Sequence, residues 1–410
     1  MTGLSRRDFV QSAGAAALVV AIGTPGGGRA AAKAAAAGFG PYLRIGSDGR
    51  VTAVLPTSEM GQGTHTGQLM ILGEELGVAP AAIDVEMPLR PTDAYRLFFG
   101  QMRSVGSYGI RAWYEPLRKA AAQARAVLVQ AAARRLGVDA AGLDTVDGHV
   151  VHAASARRLP FGELAAAAAG LPVPEDPPLR PAGERRIVGR AMPRVDTPAK
   201  VDGTAVFGTD VHIDDMLHGA IHMSPVFGAQ VAGYDRDAAM RMPGVVDVVA
   251  VPHGVVVVAD TWWRAKRAAD ALAIRFEATD NDTLSSSALS AAMREGLDGQ
   301  LPPVTRAGDS AAGFAAAAQT VEAIYEVPFL THVCMEPLVC TAHTREDHVE
   351  LWMPTQGHDI VRMTVARVLG FGNEQMTLHT TYLGGGFGRK THGEIAEQAM
   401  LASRAVMTGR

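Results

Sequence analysis

Residues 383–390 read Leu-Gly-Gly-Gly-Phe-Gly-Arg-Lys, and this glycine-rich run limits what the chain around it can form. The alternation in Met376–Tyr382 predicts a strand before the run, and apolar residues at helical spacing predict a helix over Glu394–Met407 behind it. Glycines let a ligand approach the backbone closely, and unpaired N–H groups near a helix start favour negative charge. The run therefore predicts an anion site, with a tight glycine turn that binds no ligand as the alternative.

A second unit with the same order of elements occurs in the N-terminal half. Val51–Leu55 has the pattern of a strand, Glu59–Gly63 forms a glycine loop, and a helix is predicted from about Gln68 to Leu76. A long alanine-rich helix is predicted over Trp113–Arg135, after a small polar loop at residues 103–108 that is a further candidate border of the site. The two units agree in architecture without being a sequence repeat.

The composition is that of a globular protein with a large core. Hydrophobic residues make up 48% and charged residues 20%, which is typical of a globular protein, and the length of 410 residues allows two or three domains. A net charge of −4 with basic residues clustered only in pairs argues against nucleic acid as a partner. The two cysteines, Cys334 and Cys340, are too few for an iron–sulfur cluster and are not spaced as zinc ligands. Two buried thiols are expected, with a disulfide as the alternative.

The N-terminus has the three parts of an export signal. Arg6 and Arg7 precede an apolar run over residues 15–22 that is too short to span a bilayer, and small residues follow through Ala32. These parts predict a twin-arginine signal over residues 1–32 and a periplasmic location. A disordered alanine-rich tail is the alternative.

Composition changes farther along the chain predict its organisation. Prolines concentrate in residues 171–182, which indicates a linker, and residues 187–277 mix short helical patterns with apolar strand patterns. After a polar stretch, strands are predicted at Ala323–Val327 and Val349–Met353, and a helix at Ile360–Leu369.

Several motifs together resemble one enzyme family. Glu59–Gly63 resembles its GQG loop, residues 187–203 resemble the entry to its hammerhead domain, Thr355-Gln356 resembles its second cofactor contact, and Gly384–Gly388 matches its GGGFG loop. On these residues the chain is similar to the molybdopterin-binding large subunit of the xanthine dehydrogenase and aldehyde oxidase family. The GQG loop precedes the GGGFG loop, which is the order of the isoquinoline 1-oxidoreductase type.

The resemblance implies an α+β (mixed α/β) fold with molybdopterin-binding domains and an α/β hammerhead domain. The expected organisation beyond the signal is a first molybdopterin-binding segment at 40–170, a linker at 171–186, the hammerhead domain at 187–277, a second linker at 278–310 and a second, incomplete molybdopterin-binding segment at 311–410.

The resemblance also implies a molybdenum cofactor, a molybdopterin in its dinucleotide form, which carries the oxygen-transfer and electron chemistry. Electrons are expected to pass to a [2Fe-2S] cluster on a small partner subunit, and from there to a cytochrome c acceptor. The expected substrate is an aldehyde or an N-heteroaromatic compound. Side-chain amides and backbone N–H groups suit an anionic cofactor because they donate without adding charge. The residues expected to bind it are Gln62, Gly63, Gln356, Gly385, Gly386, Phe387, Gly388 and Arg389.

Two departures from the family pattern limit what the resemblance implies. Thr391 follows Lys390 where xanthine-type members carry a glutamate, which disfavours purine hydroxylation. The catalytic glutamate of the family lies in a C-terminal half beyond Arg410, so the chain is expected to be a fragment, and its catalytic residue is unassigned. Glu336, an acid among apolar neighbours, is interpreted as a structural carboxylate and not as the base.

Histidines close to the motifs, His65, His332 and His392, are interpreted as structural, because this cofactor binds molybdenum through its own sulfurs. No metal ligand is therefore expected from the chain. Two other functions stay open: a truncated, non-catalytic product, and a nicotinamide-dependent dehydrogenase built on the Gly384 loop. The dehydrogenase lacks the G-x-G-x-x-G spacing and an acidic residue about 20 positions farther on.

Overall fold

The computed structural model describes residues 18–19, 41–299 and 301–408. The predicted export signal lies outside these residues except for Leu18–Val19, whose backbone pairs antiparallel with Arg44–Ile45. Within the described ranges, no helix has both the length and the hydropathy needed to cross a bilayer.

The chain divides into two compact units. The larger comprises Met1–Met216 together with Cys334–Arg410, and the smaller comprises Leu217–Val333. Both contain helices and sheets, so the predicted α+β class is confirmed. The domain boundaries expected from the sequence stay predictions.

The N-terminal part of the larger unit is built on a mixed sheet. Its elements are β1 Leu18–Val19, β2 Leu43–Ile45, β3 Val51–Val54, α1 Thr64–Leu76, β4 Ile83–Glu86, α2 Tyr108–Arg111 and α3 Tyr114–Leu136. Strand β3 lies between antiparallel β2 and parallel β4, which places the loop after β3 at one end of the sheet. Helix α1 begins four residues before its predicted start and packs against α3, whose Ala121 and Ala124 are fully buried. Alanines at these positions let the two helix backbones come close.

A three-stranded antiparallel sheet and short helices complete this part of the larger unit. They are β5 Leu143–Val146, β6 His149–His152, β7 Arg157–Pro160, α4 Phe161–Ala169 and α5 Thr197–Asp202. Phe161 and Leu164 of α4 bury their side chains in the same core as α1 and α3. Ala205–Gly208, one of the apolar strand patterns within residues 187–277, does not form a strand: among the described residues it makes one isolated bridge, between Phe207 and Tyr382.

The smaller unit has its own core around strand Gly254–Ala259, which is buried along its whole length as its continuous apolar run indicates. Strands Val245–Val251 and His218–Met223 flank it antiparallel, and Val231–Tyr234 pairs with Ile274–Phe276. The elements are β8 His218–Met223, β9 Val231–Tyr234, α6 Arg236–Met240, β10 Val245–Val251, β11 Gly254–Ala259, α7 Trp262–Ala271, β12 Ile274–Phe276, α8 Ser286–Leu297 and α9 Ser310–Ala315. The strand predicted at Ala323–Val327 is wrong, because no backbone group of this stretch pairs with the backbone of a described residue.

The C-terminal part of the larger unit is a three-stranded sheet with two helices on one face. Its elements are β13 Thr341–Thr344, β14 Val349–Met353, α10 His358–Leu369, β15 Met376–Thr380 and α11 Glu394–Thr408. Strand β14 alternates buried and half-buried residues, and its buried Leu351 packs with Val361 of α10 and Met400 of α11. Parallel pairing of β14 with β15 brings the ends of both strands, and the loops after them, to the same edge.

Buried ionic contacts hold the proline-rich segment 171–186 against α1 and α3. Glu75 of α1 is fully buried and accepts hydrogen bonds from Arg118 at 2.8 Å, from Arg125 at 3.0 Å and from the backbone N–H of Arg180 at 3.0 Å. The guanidinium groups of Arg118 and Arg125 are also buried, so removal of Glu75 would leave two positive charges buried without an anion. This segment has no strand or α-helix, yet it is tied to the core.

We expect Glu75→Ala to lower the free energy of unfolding by about 3–5 kcal/mol, because it leaves two buried guanidinium groups without their anion. Chemical denaturation of the purified chain measures this value. The matched control is Glu163→Ala, which removes a surface pair with Arg135 whose side chains are about half exposed and should cost less than about 1 kcal/mol. An equal decrease in the free energy of unfolding in both variants would contradict the expectation that a buried ion pair contributes more to stability than an exposed one.

Candidate functional site

The glycine loop before α1 is closed by its own carboxylate. Glu59 is 2% exposed; its Oε1 accepts from the backbone N–H groups of Gly61 at 2.9 Å and Gly63 at 3.0 Å, and its Oε2 accepts from that of His65 at 3.0 Å. Both glycines have positive φ, 102° and 79°, which a side chain would strain. These N–H groups, expected from the sequence to receive a ligand anion, are therefore paired with Glu59.

Sequence reasoning missed the role of Glu59. The signal was present, since an acidic residue directly before a Gly-x-Gly loop at a helix start can accept the unpaired N–H groups of the first turn. A motif comparison directs attention to the glutamine of this loop and not to the acid beside it.

Gln62 folds back onto its own loop. Its Oε1 accepts from the N–H of Met60 at 2.7 Å, and its Nε2 donates to the carbonyl of Ser58 at 2.9 Å. The residue is exposed, and the amide retains a second N–H that a ligand can use. Gly63 caps α1 in a left-handed conformation. The cofactor roles of Gln62 and Gly63 stay predictions.

A charged cluster fixes the same loop from outside. Arg194 donates to the carbonyl of Gly61 at 2.6 Å and to Glu59 at 3.1 Å. Asp196, 3% exposed, accepts from Arg194 at 2.6 Å and from Lys200 at 2.5 Å. The hydrogen bond from Arg194, together with that from Lys200, holds the pKa of Asp196 well below its usual range. The segment expected to enter the hammerhead domain thus contacts the GQG loop within the larger unit.

The GGGFG loop follows β15 and is held at both ends. The N–H of Gly384 donates to Glu336 at 2.8 Å, and the N–H of Gly388 donates to Oε1 of Gln356 at 3.1 Å. A Cβ atom on Gly386 would lie 2.4 Å from Oε1 of Gln356 and 3.4 Å from the sulfur of Met60 in the GQG loop. Gly386 therefore lies where the two glycine loops meet, and any side chain there would displace Gln356.

Phe387 is the unusual member of this loop. Its φ of 50° is in the left-handed region, and its ring is 71% exposed. A non-glycine residue in this conformation carries strain, which the neighbouring Gly385 and Gly388, at φ 93° and 89°, do not. Arg389 directs its guanidinium to Glu394, the first residue of α11, and so ties the loop to that helix.

Gln356 joins three segments that are far apart in sequence. Its side-chain Nε2 donates to the backbone carbonyl of Ser104 at 2.9 Å. Its backbone carbonyl accepts from the backbone N–H of Ser104 at 2.8 Å. The hydroxyl of Ser104 accepts from the backbone N–H of Ser58 at 2.7 Å. The hydroxyl of Ser58 donates to the backbone carbonyl of Thr355 at 2.6 Å. The polar loop at residues 103–108 therefore connects the GQG and GGGFG loops.

Glu336 is structural, as the sequence indicates. Its two oxygens accept from the backbone N–H groups of Gly208 at 2.7 Å and Gly384 at 2.8 Å and from the ammonium of Lys390 at 2.5 Å. Glu336 is 7% exposed and Lys390 2%. Both oxygens of Glu336 are therefore occupied by donors of the protein itself.

The histidines near the loops serve as structural groups or lie exposed. The ring of His65 is 2.8 Å from the carbonyl of Thr57, and burial lowers its pKa. His392 is exposed, as is His332 in the smaller unit. Across residues 41–299 and 301–408, no three His, Cys, Asp or Glu side chains form a group that could hold a metal ion.

Both cysteines are free thiols, and each is half-buried instead of buried as expected. Cys334 lies against the GGGFG loop, with its sulfur 3.5 Å from the carbonyl of Gly386. Burial raises the pKa of Cys340 to about 12, so that thiol is unreactive at neutral pH.

Three successive N–H groups of the GGGFG loop, at Gly385, Gly386 and Phe387, have no hydrogen-bond partner among the residues that the structure describes. These N–H groups lie beside the neutral side-chain amide of Gln356. The central residue, Gly386, is so close to that amide that it has no room for a side chain. Fixed donors suit the oxygen atoms of an anionic group, and the acid that binds the same loop at Gly384, Glu336, is paired with Lys390. The residues present therefore fit an anionic cofactor at the GGGFG loop. At the GQG loop, the N–H groups of Gly61, Gly63 and His65 already donate to the carboxylate of Glu59.

Comparison with known proteins defines the class to which a chain with these two glycine loops belongs. Residues 7–240 and 297–410 each match a family model described as a molybdopterin cofactor-binding domain. The chain belongs to the molybdopterin-binding domains of the xanthine dehydrogenase and aldehyde oxidase family, as its motifs indicate.

Curated relatives agree with this family. The chain is 30% identical to the beta subunit of isoquinoline 1-oxidoreductase from Brevundimonas diminuta, across 94% of this chain and 56% of the relative. It is 29% identical to one subunit of the nicotinate dehydrogenase of Pseudomonas putida KT2440, across 89% and 31%. It is 28% identical to the molybdenum-binding subunit of an aldehyde oxidoreductase of Escherichia coli K12, across 55% and 35%. The chain thus spans from about a third to just over half the length of these relatives.

We expect Gly386→Ala to displace Gln356 and the loop, because its Cβ would lie 2.4 Å from Oε1 of Gln356. The free energy of unfolding should fall by about 1–3 kcal/mol, as for other overpacked sites. The molybdenum and pterin contents of the purified protein should fall as well. Gly372→Ala is the control, since its nearest neighbour would be 3.8 Å away, and it should alter neither quantity. A wild-type cofactor content in Gly386→Ala would show that the loop does not bind the cofactor.

His358, two residues after Gln356, predicts an acid sensitivity. It is fully buried, its Nε2 is 2.9 Å from the hydroxyl of Thr380, its Nδ1 has no partner within the described residues, and burial lowers its pKa to about 4. As the pH falls, the imidazole of His358 takes up a proton in the unfolded state at a higher pH than in the folded state. The free energy of unfolding is therefore unaffected above pH about 6.5 and decreases as the pH falls toward 4.

The loss attributable to His358 should reach roughly 3 kcal/mol near pH 4. We expect His358→Gln to be less stable at neutral pH but to lose correspondingly less on acidification, as measured by urea unfolding at several pH values. Parallel pH profiles for the variant and the wild type would contradict this assignment.

Proposed function

We propose that the chain is the cofactor-binding subunit of a molybdenum hydroxylase that oxidises an aldehyde or an N-heteroaromatic compound with oxygen derived from water. The observation that carries this proposal is the set of three unpaired N–H groups at Gly385–Phe387 beside Gln356, in a chain of the molybdopterin-binding family. The names of the relatives, which include isoquinoline, nicotinate and aldehyde oxidoreductases, support the substrate classes.

The bound cofactor would supply the oxygen-transfer and electron chemistry. This chain would hold the cofactor: the N–H groups of Gly385, Gly386 and Phe387 would donate to its oxygen atoms, and the second N–H of the Gln356 amide would add a neutral donor. Gln62 and Gly63 contribute from the GQG loop, where Glu59 keeps the backbone in position. Arg389 holds the GGGFG loop on α11 through Glu394, and its guanidinium lies close to the site.

The exposed ring of Phe387 borders the same space and can limit which substrates approach. Thr391, in place of the glutamate of xanthine-type members, supports substrates other than purines. The catalytic base is not assigned to any residue of this chain, because Glu336 is fully paired.

Electron transfer in this proposal passes to a [2Fe-2S] cluster on a small partner subunit, and from there to a cytochrome c. The two cysteines of this chain, one of them with a raised pKa, do not provide the four thiolates that such a cluster takes. The paired Arg6 and Arg7 support export to the periplasm by the twin-arginine route. Recovery of the protein only from the cytoplasm after cell fractionation would contradict export.

A nicotinamide-dependent dehydrogenase is not favoured by the geometry. Helix α11 starts at Glu394, so the residues 389–393 separate the GGGFG loop from the helix end that would meet a pyrophosphate.

The decisive experiment is metal and pterin analysis of the protein co-expressed with a small iron–sulfur subunit. We expect stoichiometric molybdenum and pterin, and reduction of an artificial electron acceptor with isoquinoline, nicotinate or an aldehyde. A folded, molybdenum-free preparation would overturn the proposed function. Bound molybdenum without turnover of any of these substrates would instead identify a cofactor-binding, non-catalytic product.

A further inference from the structure

Three aromatic side chains, Phe98, Phe99 and Tyr108, form a cluster at the polar loop of residues 103–108. The rings of Phe98 and Tyr108 stack with their centroids 3.4 Å apart, and the ring of Phe99 meets that of Tyr108 edge to face at 6.0 Å. Phe99 is 62% exposed and has a φ of 54°, a conformation that is strained for a residue with a side chain. A strained and exposed ring adds little to the stability of the fold, which points to a role in binding.

Two arginines hold positive charge on this aromatic cluster. The guanidinium carbon of Arg103 lies 4.6 Å from the ring centroid of Phe99, and that of Arg111 lies 4.3 Å from the ring centroid of Tyr108. Neither guanidinium takes part in a hydrogen bond or an ion pair within the part of the chain that the structure describes. A ring face attracts the cation without satisfying its N–H donors, so both arginines retain donors for an anion.

Hydrogen bonds attach the aromatic cluster to the segments that carry both glycine loops. On one side, the backbone N–H of Ser104 donates to the carbonyl of Gln356 at 2.8 Å, and the side-chain amide of Gln356 meets the GGGFG loop. On the other side, the carbonyl of Gly109, next to Tyr108, accepts from Nε2 of Gln68 at 2.7 Å. Gln68 lies in α1, which begins directly after the GQG loop. The aromatic cluster is therefore fixed at the border of the candidate cofactor site.

We propose that the aromatic cluster binds the substrate and that the substrate is a planar aromatic compound that carries a carboxylate. The ring of the ligand contacts the exposed surface of Phe99, and its carboxylate accepts from the guanidinium groups of Arg103 and Arg111. This substrate class rests on the proposed function, because it narrows the aldehyde or N-heteroaromatic substrate to one whose ring is also an acid.

Ligands with only one of these two parts leave half of the arrangement unused. A neutral aromatic compound would contact the rings, but it would take water from two guanidinium groups without supplying an anion. An aliphatic carboxylate would pair with the arginines, but it would gain no ring contact. An aromatic carboxylate uses the cations and the rings together.

Isothermal titration calorimetry of the protein co-expressed with a small iron–sulfur subunit tests this inference with two probes, benzoate and benzamide. The two probes have nearly the same shape and differ in charge, and neither is an aldehyde or an N-heteroaromatic compound. We expect benzoate to bind at least about tenfold more tightly than benzamide, because charge-assisted hydrogen bonds to guanidinium groups need the carboxylate.

Variants separate the contribution of the charge from that of the rings. Arg103→Gln should weaken benzoate binding about tenfold and change benzamide binding less than about twofold, and Arg103→Lys should recover part of the loss. Phe99→Ala should weaken the binding of both probes about threefold or more, because the ring contact is common to them. Unchanged circular dichroism spectra should show that the variants fold like the wild type.

The matched control is Arg134→Gln, which removes the same charge at the other end of α3. Arg134 is exposed and lies roughly 30 Å from the first residue of that helix. This variant should leave the affinities for benzoate and benzamide unchanged.

Four results would overturn the inference. They are a lack of benzoate binding, equal affinities for benzoate and benzamide, an equal loss of benzoate affinity in Arg103→Gln and Arg134→Gln, and displacement of benzoate by an equal concentration of inorganic phosphate. The last result would identify a general anion site. A molybdenum-free preparation would instead overturn the proposed function, so the failures of the two proposals are distinguishable.

Discussion

Buried carboxylates, each matched by donors from distant parts of the chain, are the interaction on which the site loops depend. Glu59, Glu336 and Asp359 are 2–7% exposed, and all three accept backbone N–H groups as well as a charged side chain. A carboxylate removed from water is tolerated only with such partners, and losing one partner leaves the remaining charge unpaired. The loops around these acids therefore have one low-energy arrangement, although they contain glycines that would otherwise move freely.

The elements around the site could largely be predicted from the sequence, because hydrophobic periodicity is a local property. Helix Glu394–Thr408 and strand Val349–Met353 agree closely with their patterns. The hydrogen bonds that assemble the site could not be predicted, since the bond from Gln356 to Ser104 joins residues 252 positions apart. The strand expected at Ala323–Val327 failed for a different reason: a strand needs a partner, and its own pattern does not specify one.

The two glycine loops are similar in sequence pattern but different in electrostatics. The GQG loop contains a negative charge at its N–H groups, whereas the GGGFG loop leaves three N–H groups open beside a neutral amide. An anionic group would therefore meet the charge of Glu59, which is paired with Arg194, at the GQG loop and open N–H donors at Gly385–Phe387. This difference favours the GGGFG loop over the GQG loop as the place for an anionic group.

The hydrogen bond between Ser58 and Thr355 spans 297 positions of the chain. Contacts of such separation carry a large loop-closure entropy, so they form after the local helices and hairpins. The two loops can consequently come together only after residues 58 and 355 have both been synthesised. A ligand that needs both loops at once would bind only after that long-range contact has formed.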